Sequence, residues 1–159
     1  MMKIAWVPKI ALAVAVLIAA AACTPEELKQ WYRDNGIDYS QWTEAEIEQQ
    51  AIEVTKYWDR KFAQLAELSK YNHVLSDQQL AKLRWCESGG NYAAIGGRGA
   101  FRGAYQFTIS TWNATAARHF PWLVGVDPIW ASPEEQDAMA RALWSTNGPR
   151  PWPVCGYRV

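Results

Sequence analysis

Glu87 stands where a helical pattern should stop: the run Trp85-Cys86-Glu87-Ser88-Gly89-Gly90-Asn91-Tyr92 sets a carboxyl group just ahead of two turn-forming glycines. A carboxyl at a helix C-terminus faces the partial negative charge of unpaired carbonyls. Burial against Trp85 or Tyr92 would add desolvation, so both effects oppose ionisation. A glutamate kept protonated near neutral pH is a general acid able to hand a proton to the oxygen of a leaving sugar. The plainer alternative is a surface carboxylate in an ordinary helix C-cap, and the surrounding sequence favours the chemical reading.

From Ser76 onward the chain has six carboxylates. Asp77, Glu134, Glu135 and Asp137 fall where first helical turns are expected, and capping and dipole effects account for them. Asp127, followed by Pro128, reads as a turn residue. Glu87 is left as the carboxyl placed for chemistry, which points to a single-acid mechanism. The same region holds six tryptophans. Trp112 and Trp144 lie in helical patterns and read as core, whereas Trp122, Trp130 and Trp152 lie beside prolines in loops, where an indole face can take a sugar ring or simply pack. His73, His119 and the cysteines show no paired ligand spacing, so no metal and no cofactor is indicated.

The chain begins with Lys3 and Lys9 around the start of an apolar run of 13 residues, Ile10 to Ala22. That is shorter than the ~20 residues of a membrane-spanning helix and reads as an export signal over residues 1–22. Cys23 directly after Ala20-Ala21-Ala22 resembles a lipobox, whose cysteine becomes the lipidated first residue of the mature protein. Such an anchor would hold the protein at the outer face of the cytoplasmic membrane. Ala20 stands where leucine is usual, so ordinary cleavage and secretion is the alternative. Export would place Cys86 and Cys155 in an oxidising compartment with each other as the obvious partner, and a disulfide is expected. Without Lys3 and Lys9 the chain has 14 basic and 16 acidic residues, and nucleic acid is not an indicated partner.

These groups need elements to hold them. Thr24-Pro25-Glu26-Glu27 is a cap with proline at the first helical position, predicting a short helix to about Asp34, stopped by Asn35-Gly36. Thr43 with Glu46 opens a long helix ending near Lys70, with Ile47, Ala51, Val54, Trp58, Leu65 and Leu68 as one apolar stripe. The stripe must pack within the chain or on a protein partner of the 43–70 helix. Ser76 with Gln79 starts the helix that ends at Glu87. The glycines 96, 97, 99 and 103 predict a loop or a small irregular hairpin. Thr108 or Ser110 caps a helix to about Arg118, and Ser132-Pro133-Glu134-Glu135 caps another to Thr146. Pro149, Pro151 and Pro153 stiffen the tail before Cys155. Residues 23–75, with 6 basic and 10 acidic side chains over 24–75, form an acidic helical extension to a domain over 76–159.

Three ordered blocks in that domain resemble the catalytic domain of resuscitation-promoting factors, a small lysozyme-like, transglycosylase-like domain of actinobacteria and their phages. They are Trp85 to Tyr92, then Gly103-Ala104-Tyr105-Gln106-Phe107 with Ser110-Thr111-Trp112, and Trp152-Pro153-Val154-Cys155. The resemblance covers about residues 76–159 and implies a mainly α, α+β lysozyme-like fold with little sheet, closed by a Cys86–Cys155 disulfide. It places the family's catalytic acid on Glu87, and Gln106 and Thr111 on polar positions of its substrate groove. Tyr92, Trp152 and Asn147, which stands where some members have glutamine, complete the candidate substrate contacts. The chain departs from the pattern in a loop one residue longer between Tyr92 and Phe101, with Arg98 and Arg102, and in Thr108 where some members are acidic.

The resemblance implies cleavage of peptidoglycan glycan strands at the β-1,4 bond between N-acetylmuramic acid and N-acetylglucosamine. With no second carboxylate indicated, lytic transglycosylation is expected over hydrolysis by a muramidase. A different class of answer is a peptidoglycan-binding lipoprotein that tethers an envelope apparatus without turnover.

Overall fold

A computed structural model of the chain describes residues 24–159. The expected export signal over residues 1–22 and the expected lipidation site, Cys23, lie outside the described residues. The chain divides into two compact units, the first ending at Gln64 and the second running from Leu65 to Val159.

The first unit is a helical hairpin. Helix α1 (Pro25–Asp34) begins with a reciprocal cap between Thr24 and Glu27 and has proline in its first turn, where no amide donor is missed. Helix α2 (Glu44–Leu68) begins with the same device, the Thr43 amide donating to Glu46 at 2.8 Å and the Glu46 amide to the Thr43 hydroxyl at 3.2 Å. The first part of the apolar stripe finds its partner here, Ile47, Ala51 and Val54 being buried with Leu28 and Tyr32 of α1, whereas Leu65 is exposed and Leu68 belongs to the core of the second unit. Tyr32 sits within 5.7 Å of the rings of Trp31, Tyr39 and Trp42, and Lys29 pairs with Glu44 at 2.5 Å. Among the described residues no helix is long and apolar enough to cross a membrane.

The second unit carries helices α3 (Asp77–Ser88), α4 (Ile109–His119) and α5 (Pro133–Asn147). Each has the expected cap: Ser76 with Gln79, Thr108, and Ser132 with Glu135. The glycine-rich stretch forms a two-residue hairpin, β1 (Ile95–Gly96) antiparallel to β2 (Phe101–Arg102), with a further bridge from Arg102 to Phe107. The architecture is the mainly helical one with little sheet.

Helix α5 is the centre of this unit. Gln136, Ala138, Met139, Ala140, Arg141, Ala142 and Leu143 are all buried, so the helix is covered on every side. Trp112, Tyr105, Phe120, Leu80 and Leu83 pack in the same core. The buried polar side chains of α5, Gln136 and Arg141, are hydrogen-bonded, as burial requires. Gln136 accepts from the Ala104 amide at 2.8 Å and donates to the Tyr92 and Ala131 carbonyls at 3.0 and 3.1 Å. Gly103, at φ 73°, is where a side chain would run into the Gln136 carboxamide. Arg141 donates to the Leu75 carbonyl at 2.9 Å, to Asn72 at 3.0 Å and to Asp77 at 2.5 Å, tying the segment before α3 to α5.

Candidate active site

Glu87 is the penultimate residue of α3. The helix stops because Gly89 turns left-handed at φ 66°, its amide returning to the Trp85 carbonyl at 2.9 Å while the Gly90 amide reaches Arg84 at 3.1 Å. Ser88 then fastens this end to the next block, donating to the Ala104 carbonyl at 2.8 Å. The Cys86–Cys155 disulfide brings in the C-terminal tail. Glu87 consequently opens on a cavity of about 340 Å³ walled by Phe101, Gln106, Pro151, Trp152, Pro153, Val154 and Cys155.

Glu87 is the one carboxylate among the described residues lining this cavity. It is half-buried, and burial pushes its carboxyl above the ordinary glutamate range. The wall differs from the one expected. Trp85 is 74% exposed, because a residue two positions back on a helix points to the opposite side. Tyr92 is drawn elsewhere, donating to Asp137 at 2.8 Å. The tail and Phe101 do the burying instead.

Gln106 has φ 52°, an uncommon conformation for a residue with a side chain. Its amide nitrogen donates to the Gly103 carbonyl at 2.9 Å, and its carboxamide lies on Gly96 where any Cβ would collide. Phe101 is similarly seated on Gly97, whose added Cβ would come within 2.8 Å of the ring. Phe101 is a wall residue that no motif in the sequence marks. The available signal is an aromatic that opens the second hairpin strand, two residues from both Gly99 and Gly103.

A model of the transglycosylase-like domain matches residues 75–155 of this chain. The chain belongs to the transglycosylase-like domain family. It is 35% identical over 94 residues to the resuscitation-promoting factor RpfD of Mycobacterium tuberculosis, covering 59% of this chain and 56% of that protein. To RpfA of the same organism it is 37% identical over 81 residues, 51% of this chain and 19% of that one. To RpfC, also of Mycobacterium tuberculosis, it is 42% identical over 71 residues, 45% of each. The chain thus spans about half the length of RpfD and less of the others. No solved structure matches it.

The transglycosylase-like domain gathers Glu87, Gln106, Trp152 and Cys155 around one cavity. Trp152 enters it as wall: it is 4% exposed, donates to the Tyr105 carbonyl at 2.8 Å and stacks on Trp144 with centroids 5.8 Å apart. Thr111 and Asn147 line a second cavity, between α4 and α5. Trp130, by contrast, is 80% exposed. Asp127 is a turn residue, accepting from the Ile129 amide and pairing with Arg102 at 3.5 Å.

Asp137 does not have the capping role expected of it. Asp137 lies beyond the first turn of α5, whose acidic residues are Glu134 and Glu135, so the dipole does not account for it. It accepts from Tyr92 at 2.8 Å and Tyr105 at 2.7 Å and pairs with Arg84 at 3.0 Å. Burial, together with Asp137, pushes both tyrosines upward, so they remain neutral donors. This network holds α3 against the block containing Gln106. Asp137→Ala is expected to destabilise the protein by about 2–4 kcal/mol, because Arg84 would keep its half-buried charge and lose its counter-ion. Urea unfolding is the measurement, and a change below about 0.5 kcal/mol would mean that the network is dispensable.

Proposed function

We propose that this protein is an exported enzyme that cuts peptidoglycan glycan strands, with residues 76–159 as its catalytic domain and Glu87 as general acid and then base. The single observation that carries the reading is Glu87 itself: a half-buried carboxyl, raised by burial, with no hydrogen bond or ion pair among the described residues, alone in its cavity. Membership of the transglycosylase-like family and likeness to resuscitation-promoting factors support it.

In this mechanism the neutral Glu87 protonates the oxygen linking N-acetylmuramic acid to N-acetylglucosamine, and the bond from that oxygen to the muramyl C1 breaks. The substrate's own acetamido oxygen stabilises the cationic sugar, the cavity offering no second carboxylate. The Glu87 carboxylate then accepts the proton of the muramyl 6-hydroxyl, whose oxygen closes on C1 to give a 1,6-anhydro sugar. The attacking group already belongs to the same ring, which gives it the advantage of proximity over water. Gln106 orients the sugar at the acid, while Thr111 and Asn147 contact the strand farther along.

The test is digestion of purified peptidoglycan by the mature protein, with products weighed. Fragments lighter by one water than hydrolytic ones are expected. Fragments with a reducing muramic acid, incorporating oxygen from labelled water, would make the domain a muramidase. The intact mass of the same preparation reads the proposed lipid anchor at Cys23: an unmodified thiol there means plain secretion.

A further inference from the structure

The second cavity, about 300 Å³ between α4 and α5, has a character of its own. On α4 its lining residues Ser110, Thr111 and Arg118 recur on one face, and a seven-residue step on a helix spans about 10 Å. Thr146 and Asn147 line it from α5, and His119 closes the end beside Arg118. No carboxylate is among its lining residues. Arg118 is exposed and pairs with no acidic group among the described residues. His119 bonds Tyr71 through Nδ1 at 2.7 Å, and burial, with the charges of Lys70 and Arg118, holds it below the ordinary histidine range. The groove therefore presents hydroxyl and amide groups at one end and an unneutralised guanidinium at the other.

It also lies close to Glu87. Ser110 follows Gln106 by four residues, which bounds their separation at about 14 Å by chain length alone. The helix turn that carries Leu143 and Asn147 also carries Trp144, whose indole stacks on Trp152 of the Glu87 cavity.

We propose that this groove recognises the carboxylate-bearing peptide stem of the muramyl sugar, with Arg118 as the residue that binds the carboxylate and makes the enzyme prefer stem-bearing strands. The inference rests on the peptidoglycan-cleaving reading. A neutral glycan alone leaves the guanidinium without a partner, whereas a carboxylate pairs with it through two parallel hydrogen bonds. The hydroxyl and amide groups toward Thr111 suit the sugar and peptide links between the two ends.

The experiment compares wild type, Arg118→Ala and Arg118→Lys on glycan strands with their stems intact and on the same strands after an amidase has removed them. Arg118→Ala should raise KM about tenfold on stem-bearing strands with kcat little changed, and leave cleavage of stripped strands unaltered. Arg118→Lys should fall between, keeping the charge without the fork. With wild type active on both substrates, equal losses on the two, or no change on either, would overturn the proposal. A parallel titration of the mature protein with N-acetylmuramoyl-dipeptide, followed by amide NMR shifts, separates the groove from the activity. Shifts over 110–119 that vanish in Arg118→Ala support it even if wild type cleaves neither substrate, a result that would sink the enzymatic reading alone. Absence of those shifts, or equal displacement by a phosphodiester wall polymer, would assign the groove otherwise.

Discussion

Glu87→Gln is expected to reduce glycan cleavage by more than about a hundredfold while leaving the fold and glycan binding nearly intact. The amide keeps the shape of the side chain and loses the transferable proton. Since Glu87 makes no hydrogen bond or ion pair among the described residues, nothing structural is removed with it. In the proposed mechanism the same residue sets the pH dependence. Burial raises its carboxyl above the usual glutamate range, so the acid form persists to higher pH than for an exposed glutamate. Wild-type activity should decline as pH climbs through that raised value. Cleavage by the variant within a few-fold of wild type would remove Glu87 from the mechanism. An inactive wild type that still binds strands would favour the tethering lipoprotein.

Replacing Cys86 and Cys155 together by serine is expected to destabilise the domain by about 2–5 kcal/mol. The bond closes a sequence separation of 69 residues, and releasing it restores that loop entropy to the unfolded chain. It should also lower activity, because the tail it holds supplies Pro151 to Cys155 of the wall that buries Glu87. Urea unfolding without reductant measures the first effect. A loss below about 1 kcal/mol would show that Trp152, buried and bonded to the Tyr105 carbonyl, secures the tail by itself. Thiol labelling of the unfolded, unreduced protein checks the bond directly, since two freely reacting thiols would rule it out.

The helix starts were legible because each is written within four residues. Thr24, Thr43, Ser76 and Ser132 take back the amide three positions on and receive the side chain there. The role of Asp137 is not legible locally, for the opposite reason. Its position near the start of α5 suggests a local role, but its partners Arg84, Tyr92 and Tyr105 lie 53, 45 and 32 residues away. Trp152 shows the same division. Its proline neighbours mark a loop, yet only the arrival of Trp144 and Tyr105 makes that loop residue part of the core.

By itself, then, the sequence determined the order and caps of the helices, the stop that leaves Glu87 at a helix end, and the two cysteines able to staple the tail. All of these depend on side chains reaching their own backbone, or on a count of thiols. The tertiary structure decided what surrounds them: which residues bury Glu87, that Thr111 and Asn147 line a different cavity from Gln106, and that Arg118 stands there without an acid. Burial and electrostatic neutralisation depend on groups far along the chain, and no local pattern encodes which distant segment removes the water from a given side chain.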